Sequence, residues 1–202
     1  MFHFDRPRLV IRGNGVALCR ETEFGIFFPD GRRYVDPVSG LEVVPDRITR
    51  ICLHQDHAAP PSIEIEFREE GFACAIYPGG TPQSRASLGE LVNRLAEGPE
   101  SSEALRAAGA ARWLDECLEW GSGLDARIES ILKPTRHSRE FLIDLSGLGF
   151  SFAGPFRPNH VDAGAGHLRV SDCRHRTVLY TTSASDAALL PGKLSGVAIR
   201  PC

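Results

Sequence analysis

The stretch SIEIEFR, residues 62–68, is the sharpest constraint on what this chain can fold into. Ile63, Ile65 and Phe67 alternate with Glu64, Glu66 and Arg68. A period of two gives an extended strand one apolar face and one polar face. The polar set reads as the wet side of a sheet. Turn signals surround this strand at short intervals. LVIR and VALCR flank Gly13-Asn14-Gly15, and Asn-Gly is a hairpin signal. FGIFF runs into Pro29-Asp30-Gly31 before RRYV, and DPVSG separates RRYV from LEVV. RITRICLH precedes SIEIEFR, and Glu69-Glu70-Gly71 turns the chain into FACAIY. Residues 1–80 therefore read as an antiparallel β meander, a curved sheet or partial barrel.

The period then changes. Ser87 and Glu90 fit a capping box, and Leu88, Leu91, Val92 and Leu95 form an apolar stripe ended by Gly98-Pro99. A second stripe runs through Ala110, Trp113, Cys117 and Trp120 to Gly121, and a third through Leu124, Ile128, Ile131 and Leu132 to Pro134. Residues 84–133 are thus predicted to form a packed three-helix block. Residues 140–202 return to strand-like runs: FLIDL, LRVS, TVLYTT and SGVAIR. The stretch between FLIDL and LRVS is rich in glycine and proline and reads as a long irregular loop of the kind that carries function. The expected class is α+β in one domain over 1–202. Residues 134–202 can either dock on the first sheet or form a layer of their own.

The 42% apolar and 24% charged residues are ordinary for a globular chain. No run of 18 apolar residues is present, which predicts no membrane helix. Met1 to Gly13 carries Asp5, Arg6 and Arg8 and no apolar secretory core, so a cytoplasmic protein is expected. Six sparse, irregularly spaced cysteines agree with reduced thiols. Arginine outnumbers lysine 21 to 2, a composition that fits a GC-rich bacterial genome. Residues 1–80 hold 9 basic and 12 acidic side chains, 81–133 hold 6 and 9, and 134–202 hold 8 and 5.

Two clusters bear on chemistry. ICLHQDH holds Cys52, His54, Asp56 and His57 within seven positions. On a strand, Cys52 and His54 share a face, and His57 follows at its end. SDCRHRT supplies a second Cys-x-His pair, Cys173 and His175, with His160 and His167 upstream. Thiolate and imidazole ligands suit zinc, so Cys52, His54, His57, Cys173 and His175 form the candidate metal set if their strands are neighbours. The first cluster also has the residue types of a thiol hydrolase, with Cys52 as nucleophile, His57 or His160 as base and Asp56 orienting it. GLGFSFAG around Ser151 is not a nucleophile elbow, and Gly13-Asn14-Gly15 and Gly147-Leu148-Gly149 lack the dinucleotide fingerprint. Arg169, Arg174 and Arg176 could touch phosphate, but the chain is net negative at −3 and carries no nucleic-acid module. With no catalytic motif to set against it, the acidic surface predicts a protein-binding module. Such an inhibitor or immunity-type protein would mask a partner with a basic surface. The metal- or thiol-dependent hydrolase is the alternative.

Overall fold

The fold is that of a computed structural model, which describes residues 7–13, 16–54, 62–78, 81–95, 140–164, 167–182 and 195–201. The chain opens with a hairpin of β1 (Arg8–Gly13) and β2 (Val16–Glu21). Gly13 pairs with Val16, the register that an Asn-Gly turn demands. Three short strands follow: β3 (Phe28–Asp30), β4 (Arg33–Asp36) and β5 (Leu41–Val43). A single 3₁₀ turn, Pro45–Arg47, leads to β6 (Ile48–His54), β7 (Ser62–Phe67) and β8 (Gly71–Tyr77). After α1 (Pro82–Leu95) come β9 (Phe141–Ser146), β10 (Phe150–Phe156), β11 (His160–Gly164), β12 (His167–Asp172), β13 (Thr177–Thr182) and β14 (Gly196–Pro201).

These strands make two sheets with antiparallel pairing throughout. One has eight strands in the order β11-β12-β13-β2-β1-β8-β7-β6, the other six in the order β14-β9-β10-β5-β4-β3. The C-terminal third therefore enters both. β13 pairs with β2, and β10 pairs with β5. The sheets share one core. Leu9, Ile11, Leu18, Phe67, Val170 and Leu179 from the first meet Leu41, Ile143, Leu145, Phe150, Phe152 and Phe156 from the second. Phe67 and Phe150 meet across it with ring centroids 5.1 Å apart. The backbone at Gly149 comes so near that a Cβ there would lie 2.3 Å from the Phe67 ring. Beside it, the buried Glu70 carboxylate accepts the N–H groups of Leu148 and Gly149 and ties the β9–β10 turn to the first sheet.

Several expectations need correction. Strands account for 62% of the described residues, so the α+β class gives way to a two-sheet, mainly β architecture. Of the three-helix block over 84–133, the first helix is present, and the second and third fall on residues 96–139, outside those described. That first helix begins earlier than the Ser87 box. Thr81 Oγ1 accepts the Ser84 N–H at 3.2 Å, and Pro82 follows as the first helical residue, where its missing N–H costs nothing. Leu88 packs on Leu53, Ile63 and Ile76. The predicted loop after FLIDL is instead β10 and β11. Phe150, Phe152 and Phe156 alternate as buried residues. Pro155 is tolerated because β5 pairs with 150–152 and stops short of it.

Glu64 is not on a wet face. It is 1% exposed and pairs with Arg12, itself 3% exposed, at 3.2 Å. Val10, Ala17, Ala75, Tyr77 and Tyr180 bury the same face of the eight-stranded sheet. Removing one partner of a buried pair leaves the other charge in a poor solvent, whereas removing both costs less. Arg12→Met should therefore destabilise the protein by about 3–5 kcal/mol in urea unfolding, and Arg12→Met with Glu64→Leu by clearly less. A double variant as unstable as the single one, or a single variant within about 0.5 kcal/mol of wild type, would contradict the pair's burial.

Candidate functional site

At one end of the shared core, polar residues replace apolar ones. Asp172, Thr177 and Arg20 stand in one row across β12, β13 and β2, and Leu9 continues the row on β1. Arg20 is drawn inward. Its guanidinium lies 5.6 Å from the centre of the Phe152 ring and donates to the Pro155 carbonyl at 3.3 Å. Gly154 makes room for it, since a Cβ there would sit 2.4 Å from the guanidinium. Burial lowers the Arg20 pKa, and the nearby Asp172 pulls it back up.

Asp172 organises the site. It is 1% exposed and accepts four hydrogen bonds. The N–H groups of Arg157, Arg174 and His175 donate at 2.6, 2.9 and 3.0 Å, and His175 Nδ1 lies 2.7 Å away. Burial taken alone would raise the Asp172 pKa, but the Arg157 and His175 N–H groups and the His175 ring together hold it below the ordinary aspartate value. Residues 173–176 make the tight turn between β12 and β13. An aspartate just before such a turn caps the N–H groups two and three residues on. Arg176 completes the turn in the left-handed region, with φ +46. It is held there from two sides. Its carbonyl accepts the Glu21 N–H at 3.0 Å, and its guanidinium pairs with the Glu21 carboxylate.

The other ring nitrogen of His175 meets a different carboxylate. The residue is 17% exposed, and its Nε2 stands 3.6 Å from Glu140 Oε1, a side chain that is 41% exposed. Glu140 and Arg157 each lie one residue beyond the last β9–β10 pair, Phe141 with Phe156. The six-stranded sheet thus delivers both to the turn of the eight-stranded sheet. The result is an imidazole whose Nδ1 is fixed by a buried carboxylate and whose Nε2 faces a second, exposed one.

The Cys-x-His pair at 173 and 175 thus belongs to a built site, but the structure does not bring it to the other pair. β6, with Cys52 and His54, is one edge of the eight-stranded sheet, and five strands separate it from β12. At about 4.8 Å per strand, that is roughly 29 Å along the sheet. Cys52 is buried, and burial pushes its thiol up, against the opposing pull of Arg50. Such a thiol is a poor nucleophile. The His54 side chain, Asp56 and His57 lie outside the described residues. His160 is exposed on β11, and nothing is described of the His167 side chain. Among the described residues, no three His, Cys, Asp or Glu side chains gather as a metal site, which corrects the zinc expectation. Asp172 could have been found from its place before the turn. Arg20, Glu140 and Arg157 reach the site through tertiary pairing and leave no local signal. A shallow pocket near the β9–β10 turn, lined by Arg33, Glu42, Leu148 and Ser151, holds about 130 Å³ and is small for an organic ligand.

No family model matches the chain, and no curated protein is matched by its sequence. Its fold is similar to that of ChuS, a heme oxygenase of E. coli, with a TM-score of 0.55 and 12% identity over 87% of this chain. It is also similar to PhuS, a heme-binding protein of Pseudomonas aeruginosa, in holo and apo forms, with a TM-score of 0.57 and 12% and 13% identity over 87% of this chain. The chain covers 65% of the length of each of these structures. At such identities the likeness is one of fold. The expected immunity-type inhibitor and Cys52 hydrolase find no counterpart among these structures, which are described as a heme oxygenase and a heme-binding protein.

The Asp172 cage makes a signed pH prediction. A depressed folded pKa gives stability that is present above the unfolded value, about 3.9, and is lost as pH falls through the folded value. Asp172→Asn should cost about 1–3 kcal/mol at pH 7, and its unfolding curve should converge on that of wild type as pH falls below about 4. No difference at pH 7, or a gap that stays constant into strong acid, would contradict the cage.

Proposed function

We propose that this chain binds heme and that His175 is its iron ligand. The observation that carries this reading is the fold shared with ChuS and PhuS over 87% of the chain. The site supports it. Histidine ligands of metals typically donate their other ring N–H to a carboxylate, which fixes the ring and strengthens the donor nitrogen. His175 has that arrangement, with Nδ1 2.7 Å from Asp172. Glu140, half exposed, can swing aside from Nε2. Bound heme would supply a redox-active iron. The part of this chain is to hold and orient the ligand imidazole. Because the chain covers 65% of the neighbours, the reading extends to binding and not to the oxygenase activity of ChuS.

The site of action we propose is the cytoplasm. Four described cysteines, at 19, 52, 74 and 173, are free thiols, and burial pushes Cys74 up to about 12. Free thiols fit a reducing compartment. Among the described residues, no helix is long and apolar enough to cross a membrane.

Titration of the purified chain with ferric heme should produce a Soret band that shifts and saturates at one equivalent. His175→Ala should alter that band and weaken binding about tenfold or more, and Asp172→Asn should weaken it by about 10–100-fold. A wild-type chain that gives no saturable shift would overturn the reading. An unchanged band in His175→Ala would move the ligand elsewhere.

A further inference from the structure

One row of apolar side chains in the eight-stranded sheet outruns its cover. In the pairing register it starts at Ile51 on β6, passes through Ile65, Cys74, Ile11 and Leu18, and ends at Val161 on β11. The middle of the row is buried in the core shared with the second sheet. Its ends are open, with Ile51 45% and Val161 42% exposed. β6 and β11 are also the edges of the sheet, where a strand turns alternate N–H and C=O groups away from its neighbour. Among the described residues, Thr49, Ile51, Cys52 and Leu53 have no main-chain bond outside the β7 ladder.

Sheet edges are normally guarded by shortness, proline or charge. β3 has three residues with Pro29 in the middle, β14 exposes Arg200 and closes on Pro201, and β11 has five residues with Asp162 at its centre. β6 is seven residues long and has no proline, and its one arginine, Arg50, is paired with Glu66 at 2.9 Å. We infer that β6 is the seam of a two-fold dimer, in which a second copy of this chain adds its own β6 antiparallel to the first. A two-fold seam needs a patch that complements itself, and one axis suits this strand. About Arg50, two guanidinium groups would stand directly opposite each other, which is destabilising. About Cys52, two side chains that are each 3% exposed would have to meet. An axis between two residues would set the apolar face of one copy beside the polar face of the other. About Ile51, the two exposed isoleucines meet, Thr49 faces the second copy's Leu53, and no like charges are opposed. The apolar row then runs unbroken from one core into the next. Five strands separate β6 from β12, so the dimer keeps both Asp172 cages at its outer ends.

Sedimentation velocity of the full chain over a range of concentrations tests the seam. A single pair of strands is small for an interface, so the dimer should form over roughly micromolar to submillimolar concentrations. Ile51→Lys sets two ammonium groups at the axis and should raise the dissociation constant about tenfold or more, and Ile51→Glu should do the same with two carboxylates. An equal mixture of these two variants brings opposite charges together and should recover a mixed dimer. Val161→Lys, at the other edge, should dimerise as wild type does. All three substitutions are on the surface, and matching melting curves check that the variants are folded. A chain that stays monomeric throughout would overturn the seam, as would a dimer that survives Ile51→Lys or is lost in Val161→Lys. Two Ile51 variants that remain monomeric when mixed would overturn the axis.

Discussion

The ladder between β13 and β2 is the contact on which both the fold and the site rest. It joins Thr177 to Arg20 and Leu179 to Leu18, residues at opposite ends of the chain. Closing so long a loop costs little more than closing a short one, because the entropy grows only with the logarithm of length. The ladder continues the β1–β2 hairpin into β12 and β11 and completes the eight-stranded sheet. It also sets Arg20 in the same row as Asp172, and it lets Glu21 grip the turn at Arg176 from main chain and side chain alike.

A buried aspartate has to be matched, and here the match comes mostly from backbone. Three N–H groups and one imidazole nitrogen saturate Asp172. Main-chain donors fix the path of the chain and leave side chains free for other work. The same carboxylate thus shapes the turn and orients His175. Glu70 plays the simpler version of this part at the β9–β10 turn, where it holds two backbone N–H groups and no functional side chain.

Much of the strand content was legible in the sequence and much of the architecture was not. SIEIEFR, the Asn-Gly hairpin and DPVSG each produced the local structure their chemistry requires. Local patterns carry no information on which strands become neighbours, so the split into two sheets and the separation of Cys52 from Cys173 were invisible. Glu64 misled because alternation reports a polar face and says nothing of whether that face is covered. FSFAGPF misled because proline and glycine outweighed a clear alternation of phenylalanines. Of the candidate site, Cys173 and His175 stood out as residue types. Arg20, Glu140 and Arg157, which gather around Asp172 and His175, come from three other places in the chain, and no spacing rule connects them.

Paramagnetic broadening by ferric heme, read residue by residue in amide NMR spectra of the labelled full chain, tests the central claim most directly. Unpaired electrons on iron erase nearby signals and spare distant ones. Iron on His175 predicts loss of the amide signals of Arg157 and of residues 173–177, with Arg20 affected and Cys52, Ile63 and Leu88 at the far edge of the sheet intact. Undisturbed signals from 173–177 in a chain saturated with heme would contradict the placement of the site.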